Sequence, residues 1–336
     1  MRSLYFYISS IVIGAAFFLF ARWLQNDYLF FAGYTVLQFI VLATAWNILG
    51  GYCGYVNFGS AAFFAVGAYS SVALHKLGAG IDRYFPESLA GLANLILPLN
   101  IPTLIIIGGI MSGLIGLGTG YLTLRLRGAF FAIATLALAV VLQTLIVNWD
   151  YVGGSRGAYI IRPNTISIVG REVPYIEYLF FLMLALAVVA IITARTVERS
   201  RLGFGFATIR DDELAAEASG VPTLRLKLIA TTLSGALMGM AGAPFPYYIG
   251  FLQPQSAFAL DYAVNSIAMP MIGGTGSWIG PLVGAILLGT IQQVATVTIS
   301  SAVNVLIVGV LLVAFVIIAP NGLVGLVQDL MRKKSR

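Results

Sequence analysis

Charge is what this sequence has least of. Only 10% of its 336 residues are Asp, Glu, Lys or Arg and 59% are hydrophobic, whereas ordinary soluble domains carry about 25% charged residues. No soluble fold of this length has enough interior to hide that much apolar surface. Cysteine is nearly missing: Cys53 stands alone, which excludes an internal disulfide and any cysteine-based metal site. The single histidine, His75, excludes a paired-histidine metal centre; beside Lys76 at the end of an apolar stretch, it reads as an interfacial residue. No G-x-x-x-x-G-K-[ST] loop occurs, so the chain has no ATPase of its own. With neither histidine nor carboxylate inside its apolar runs, it offers no cluster of nucleophile, base and orienting group, and a catalytic reading has no support.

What the sequence does have is glycine and long apolar runs. The 37 glycines exceed the usual share of roughly 7% by about half, without the Ser/Gln bias of a linker. Glycine-rich and apolar together predict packed transmembrane helices. A bilayer core about 30 Å thick needs about 20 apolar residues per helical crossing. On that ruler the chain is an all-α integral membrane protein, a single polytopic bundle over 1–336. Spans are expected near 3–21, 28–49, 58–75, 101–122, 128–147, 176–194, 228–246, 259–273, 279–297 and 302–319. Two of these, 58–75 and 259–273, are short for a straight crossing and are read as broken or partly re-entrant, which needs backbone buried in protein or facing a cavity. The first run follows Arg2 and lacks an A-x-A cleavage pattern, so it is expected to be a retained span.

Ten spans put both termini on one side. With the N-terminus inside, Arg22, Lys76, Arg83, Arg156, Arg162 and Arg171 fall outside, leaving 13 of the 19 Lys and Arg residues inside. That bias predicts cytoplasmic termini and accounts for the net charge of +6 without a nucleic-acid partner. Two connections are long: 148–175, rich in Gly, Pro and Asn, expected to face outward, and 195–227, expected to face the cytoplasm.

Transporters driven by protons or sodium usually display ionisable groups within their spans. The span centres here contain none, and Asp261 lies at a span's outer end, where an interfacial role fits. Energy is therefore expected from a separate subunit. The inner connection contains TIRDDELAAEASGVP at 208–222. Thr208 or Asp211 can cap a short helix there, Asp211, Asp212 and Glu213 favour its positive end, and Gly220 with Pro222 stops it. Its small face of Ala215, Ala216, Ala218 and Ser219 suits a groove on another protein; a solvated loop helix is the alternative.

At this point the sequence resembles the LivM-type permeases of bacterial branched-chain amino acid ABC importers over nearly its whole length. The resemblance is carried by GYVNFGSAAFFAVGAY at 54–69, RLRGAFFAIATL at 125–136, the 208–222 segment, GGTGSWIGP at 273–281 and APNGL at 319–323, in that order. It implies a multi-pass protein of the bacterial inner membrane, working with a second, LivH-type permease, two cytoplasmic ATPase subunits that hold ATP and Mg, and a periplasmic substrate-binding protein, with membrane lipid around it. It implies that no cofactor is bound by this chain. It also implies that the inner helix is the ATPase-coupling element, carried by Arg210, Asp211, Asp212, Glu213, Ala215, Ala216, Glu217 and Gly220. The family often has Ser-x-Gly-His or Ser-x-Gly-Gln where this chain has Asn57-Phe58-Gly59-Ser60, which leaves the substrate open among branched-chain amino acids, urea and other small solutes.

Polar groups inside apolar spans must find partners in protein or water. Gln38, Thr44, Asn47, Asn57, Thr135, Gln143 and Asn265, with Gln292, are the candidates for a translocation path, interhelical hydrogen bonding being the alternative. Gly109, Gly113, Gly116 and Gly120, and the pairs Gly235/Gly239 and Gly280/Gly284, are expected to pack helices closely. Gly273-Gly274-Thr275-Gly276 lacks the lysine of a phosphate loop and is read as a tight turn. An ion-coupled secondary transporter and a passive channel for a small neutral solute are the alternatives to an ATP-driven importer.

Overall fold

The computed structural model describes residues 2–24, 26–80, 97, 99–168, 170–298, and of the remainder 306, 309–311, 313–314, 317 and 322–326. In chain order the helices are α1 (Arg2–Trp23), α2 (Asp27–Gly50), α3 (Ser60–Ala79), α4 (Ile101–Thr123), α5 (Ala129–Val147), α6 (Tyr175–Glu198), the short α7 (Arg201–Asp211) and α8 (Glu213–Ala218), then α9 (Thr223–Gly242), the short α10 (Phe245–Ile249) and α11 (Pro254–Ala257), α12 (Leu260–Gly273) and α13 (Ile279–Thr298). Among the described residues, seven stretches can cross a bilayer by length and composition: Tyr5–Trp23, Asp27–Gly50, Ile101–Thr123, Ala129–Val147, Tyr175–Glu198, Thr223–Ile249 and Ile279–Thr298. The expected ten are thus met for seven. The two short candidates are helices too: α3 has 20 residues but carries Ser70, Ser71, His75 and Lys76, and α12 has 14 residues with Pro270 inside. The expected span 302–319 and the tail after Pro320 fall largely outside the described residues.

The body is built on backbone contact. A methyl group at Gly67 of α3 would strike the Gly239 carbonyl oxygen of α9, and one at Gly242 would strike the carbonyl of Phe64. Along α4, Gly109 and Gly113 meet Met240 and Ala236 of α9. Gly280 and Gly284 of α13 lie against the backbone of Gly274 and Met269. The close-packing reading of the glycines therefore holds, and 273–276 is the tight turn expected. Ser112 reinforces the same seam, its buried hydroxyl lying 2.9 Å from the Phe63 carbonyl and 2.8 Å from that of Gly235. By contrast α5 buries only Phe131 and Thr135, leaving Phe130, Ile133 and Leu145 exposed on its outer face.

Segment 148–175 is more ordered than a Gly/Pro/Asn-rich connection suggests. It holds two 3₁₀ turns, a strand β1 (Ala158–Tyr159), and a hairpin of β2 (Thr165–Ile168) with β3 (Arg171–Pro174). β1 pairs antiparallel with β4 (Phe251–Leu252), in the break after α10. Arg162 donates to the carbonyls of Tyr247 (2.6 Å) and Tyr248 (2.9 Å), tying the same two segments. At that end His75 makes a 3.2 Å hydrogen bond with the Tyr247 hydroxyl, and Asp261 is exposed. The opposite end gathers the C-termini of α2, α4 and α6, the start of α9, and α7 with α8.

Candidate functional site

The basic end is built from 195–227. One helix was expected within 208–222; two form. Ser200 caps α7, its hydroxyl oxygen accepting from the amides of Leu202 (3.1 Å) and Gly203 (3.4 Å), and Phe206 and Ile209 bury its inner face. The chain breaks at Asp212, whose carboxylate accepts from the Ala215 amide at 3.0 Å. Asp212 is therefore the cap of α8, in place of Thr208 or Asp211: the Thr208 hydroxyl is spent on the Gly205 carbonyl within α7, and Asp211 pairs with exposed Arg210. Gly220 ends α8 at φ 84°, a left-handed stop that favours glycine.

Six residues are too few for a helix to persist alone in water, and α8 is held by its two glutamates. Glu213 is met by three groups from three other parts of the chain, two that donate hydrogen bonds and one that pairs by charge. Lys227 of α9 approaches Oε1 to 2.6 Å, Arg127 from the α4–α5 turn lies at 3.5 Å, and the Tyr55 hydroxyl donates to Oε2. Lys227, its side chain only 4% exposed, also donates to the carbonyl of Leu124 at 3.1 Å and to the Tyr55 oxygen at 3.0 Å, so its three N–H bonds are all used. Burial opposes ionisation of Glu213, but hydrogen bonds from Lys227 and Tyr55 and the nearby cations outweigh it, holding the carboxyl below its ordinary range. Glu217 is tied to Arg127 at 3.0 Å and to the Thr223 hydroxyl at 2.8 Å. The α8 surface left free is Leu214, 64% exposed, with Ala215 and Ala218, bordered by the exposed but paired Glu217. Ala216, expected on the docking face, is buried at 5% exposure.

Between α2 and α3 the backbone over 51–59 is a non-helical strap. Tyr52 donates to Glu198 at 3.3 Å, and the Trp278 amide donates to the same oxygen at 2.7 Å. Gly54, at φ 78°, lies against Arg210 of α7. Further in, Trp46 donates to the Asn57 carbonyl at 2.9 Å, and the Phe58 amide donates to the Thr135 hydroxyl at 3.2 Å. The Asn57 side chain accepts from the Gly59 amide at 2.7 Å. A cleft of about 410 Å³ opens beside the strap, between Gly54 and Val56 on one side and Gly128, Ala129 and Arg210 on the other.

The translocation candidates do not converge on one cluster. Asn57 and Thr135 meet at the strap. Asn265 accepts from Gln292 across α12 and α13 at 2.7 Å, and Ser60 bonds Ser266 at 2.9 Å. Gln38, Thr44 and Asn47 are buried along α2, with Asn47 donating to the Ser277 carbonyl at 3.4 Å. Gln143 is partly exposed on α5. The sequence reading missed Lys227, counted there as one surface cation among many, along with Tyr55, Arg127 and Thr223. Its one legible signal was that Lys227 stands at the head of an apolar run, where an ordinary flanking lysine and a buried one look alike.

Comparison with known proteins places these features. The family described as branched-chain amino acid transport system / permease component matches residues 28–316. The high-affinity branched-chain amino acid transport system permease protein LivM of Escherichia coli (strain K12) is 27% identical over 320 residues, covering 88% of this chain and 70% of that protein. The probable branched-chain amino acid transport permease protein LivH of Methanocaldococcus jannaschii is 26% identical over 288 residues, covering 80% and 82%. A shorter match, 31% over 115 residues and about a third of each chain, is to the autoinducer 2 import system permease protein LsrC of Enterobacter sp. (strain 638). No solved structure matches.

Proposed function

We propose, from the premise that the chain belongs to the permease family of branched-chain amino acid transport systems, that it is one membrane-spanning half of an ATP-driven importer for branched-chain amino acids. A related LivH-type permease completes the pore, two cytoplasmic ATPase subunits hold ATP and Mg, and a periplasmic binding protein delivers the solute. In this reading the basic end faces the cytoplasm and 148–175 faces outward, with the cation bias in support.

The observation that carries this reading is the mounting of α8. A helix of six residues, fixed to the bundle through Glu213 and Glu217 and presenting Leu214, Ala215 and Ala218 outward, suits engagement of a partner that pushes or pulls on the bundle. Arg210, Asp211 and Asp212 border the same surface, and Gly220 sets where α8 stops. An ion-coupled transporter has no use for such a mount and wants ionisable groups within the spans instead.

Asn265 with Gln292 and Ser60 with Ser266 pair inside the bundle, whereas the buried Thr44 hydroxyl and Asn47 amide oxygen have no hydrogen-bond partner among the described residues. The path is assigned to the seam with the sister permease because α5 buries only Phe131 and Thr135. Gln143 on the sparsely covered α5 is placed to reach that seam, with Thr135 and Asn57 behind it; Gln38, Thr44, Asn47 and Asn265 support the wall. Two experiments test the reading. Leu214→Arg puts a charge at the centre of the outward face of α8 and is expected to abolish co-purification of the ATPase subunits while the permease pair still inserts; undiminished co-purification refutes the docking role. Proteoliposomes holding the whole importer should accumulate leucine, isoleucine and valine but not urea.

A further inference from the structure

The sequence motif at 54–69 contributes more than a helix start, because its first residues form the strap. Within seven residues the strap touches both ends of a mechanical path: Tyr52 holds Glu198 at the end of α6, Gly54 meets α7, Tyr55 holds Glu213 of α8, and Asn57 and Phe58 are bonded to Trp46 and Thr135 in the interior. We propose that the strap is the element through which movement of α8 enters the membrane part, and that Tyr55 is its positioning residue. This rests on the reading of α8 as the ATPase-docking helix.

Three features support it. The strap is irregular backbone carrying Gly51, Gly54 and Gly59, so it can absorb changes in φ and ψ that the neighbouring helices cannot. The cleft of about 410 Å³ leaves room for displacement at Gly54 to Val56, while Gly51 and Gly59 anchor the two ends of the strap against the carbonyls of Thr275 and Thr135. The chemistry of the Glu213 cluster also divides into a fixed and a releasable part. Losing Lys227 from Glu213 would strand a buried charge, whereas departure of the neutral Tyr55 hydroxyl costs one hydrogen bond to Glu213 and one from Lys227 but leaves Lys227 and Arg127 compensating the carboxylate. Tyr55 is therefore the contact that can break and re-form as α8 shifts. From Tyr55 the chain covers the distance to Phe58 in three residues, about 10 Å when extended, so a shift at the basic end is delivered directly to Thr135 of α5.

The test is the complete importer in proteoliposomes carrying Tyr55→Phe. The substitution keeps the ring that packs edge-on to Phe131 at 5.0 Å and lies 4.7 Å from the Lys227 nitrogen, and removes only the hydroxyl. ATP hydrolysed per solute imported should rise at least threefold in complexes that retain both ATPase subunits. Gly54→Ala, which acts on the strap backbone at φ 78° and against Arg210, should raise the ratio without touching Glu213. An unchanged ratio in both variants overturns the proposal, as does a fall in assembled complex at unchanged ratio, which would make Tyr55 a purely structural contact. Leu214→Arg separates the two levels: if it releases the ATPase while Tyr55→Phe transports at the normal ratio, the docking role stands and the strap proposal fails alone.

Discussion

Lys227→Met is the sharpest probe of how α8 is mounted. The substitution keeps the unbranched stem of the side chain, one atom shorter, and removes the ammonium from a position 4% exposed, leaving Glu213, itself 13% exposed, with the Tyr55 hydroxyl and Arg127 at 3.5 Å. Removing one partner of a fully buried ion pair costs about 3–5 kcal/mol. The remaining donors and partial exposure of Glu213 bring the expected cost to about 2–3 kcal/mol. At 1.4 kcal/mol per factor of ten, local opening of α8 becomes roughly 30- to 150-fold more frequent. Hydrogen exchange of the intact protein in nanodiscs reads this at the amides of Ala216, Ser219, Gly220 and Val221, which bond carbonyls of 212–217. Exchange there should accelerate by that factor while α4 and α9 stay protected. Combining Lys227→Met with Glu213→Gln removes both charges at once, so the double variant should lose less protection than Lys227→Met alone. Exchange unchanged within threefold in the single variant would refute the claim that this ion pair holds α8.

Other expectations follow from the same contacts. Gly67→Ala and Gly242→Ala should each sharply lower the thermal unfolding midpoint, since the added methyl meets backbone, whereas Gly118→Ala, with open space around it, should be neutral or gain up to about 1 kcal/mol; equal effects at all three positions would contradict the close-packing account. Because the Glu213 carboxyl titrates below its ordinary range, the stability it contributes is fully present above pH about 4.3 and is lost only as pH falls through the lower folded value. Exchange of α8 should therefore be flat from pH 7 to 5.5 after correction for intrinsic rates, and a loss of protection in that window would show that another group controls it. In a Cys53→Ser background, Ser219→Cys should react with an impermeant maleimide only in opened cells and Thr165→Cys in intact ones, while native Cys53, buried with its thiol pushed up to about 12, should stay unlabelled until unfolding.

The long apolar helices were legible because hydrophobic length is itself the physical cause of a span: α2, α4, α5, α6 and α13 lie within a few residues of where their runs predict. The 208–222 reading found the acidic helix start and the Gly220 stop, which are local effects. It missed the break at Asp212, because Phe206 and Ile209 make α7 a helix only by packing on the bundle. The β2–β3 hairpin had a signal in Thr165, Ile166 and Ile168 before Gly170, which turns at φ 74°, but glycine and proline nearby favoured a plain connection. The Glu213 cluster had no such signal. Tyr55, Arg127, Glu213 and Lys227 are separated by 72, 86 and 14 positions, and no local spacing rule joins them; only the fold does.

The contrast between the two kinds of contact bears on where motion can occur. In the body, helices touch through glycine backbones, and interactions of that kind have steep walls: a shift of a few tenths of an ångström along α3–α9 or α12–α13 meets hard overlap. A bundle packed this way moves as one piece. At the basic end the contacts are long side chains meeting carboxylates, and a lysine or arginine can follow its partner through rotamer changes while staying bonded. Force applied to α8 by a docked partner, as proposed above, would pass to the body along two routes of different stiffness. Lys227 sits on α9 and hands it to the rigid seam, whereas Tyr55 sits on the strap and hands it to Asn57, Phe58 and Thr135. If the first route dominated, the subunit would rock as a whole and Tyr55→Phe would be silent. If the second contributes, α5, which buries only Phe131 and Thr135, is the helix free enough to respond, and its displacement relative to α4 is the movement that a pair of spin labels on those two helices should detect when ATP binds.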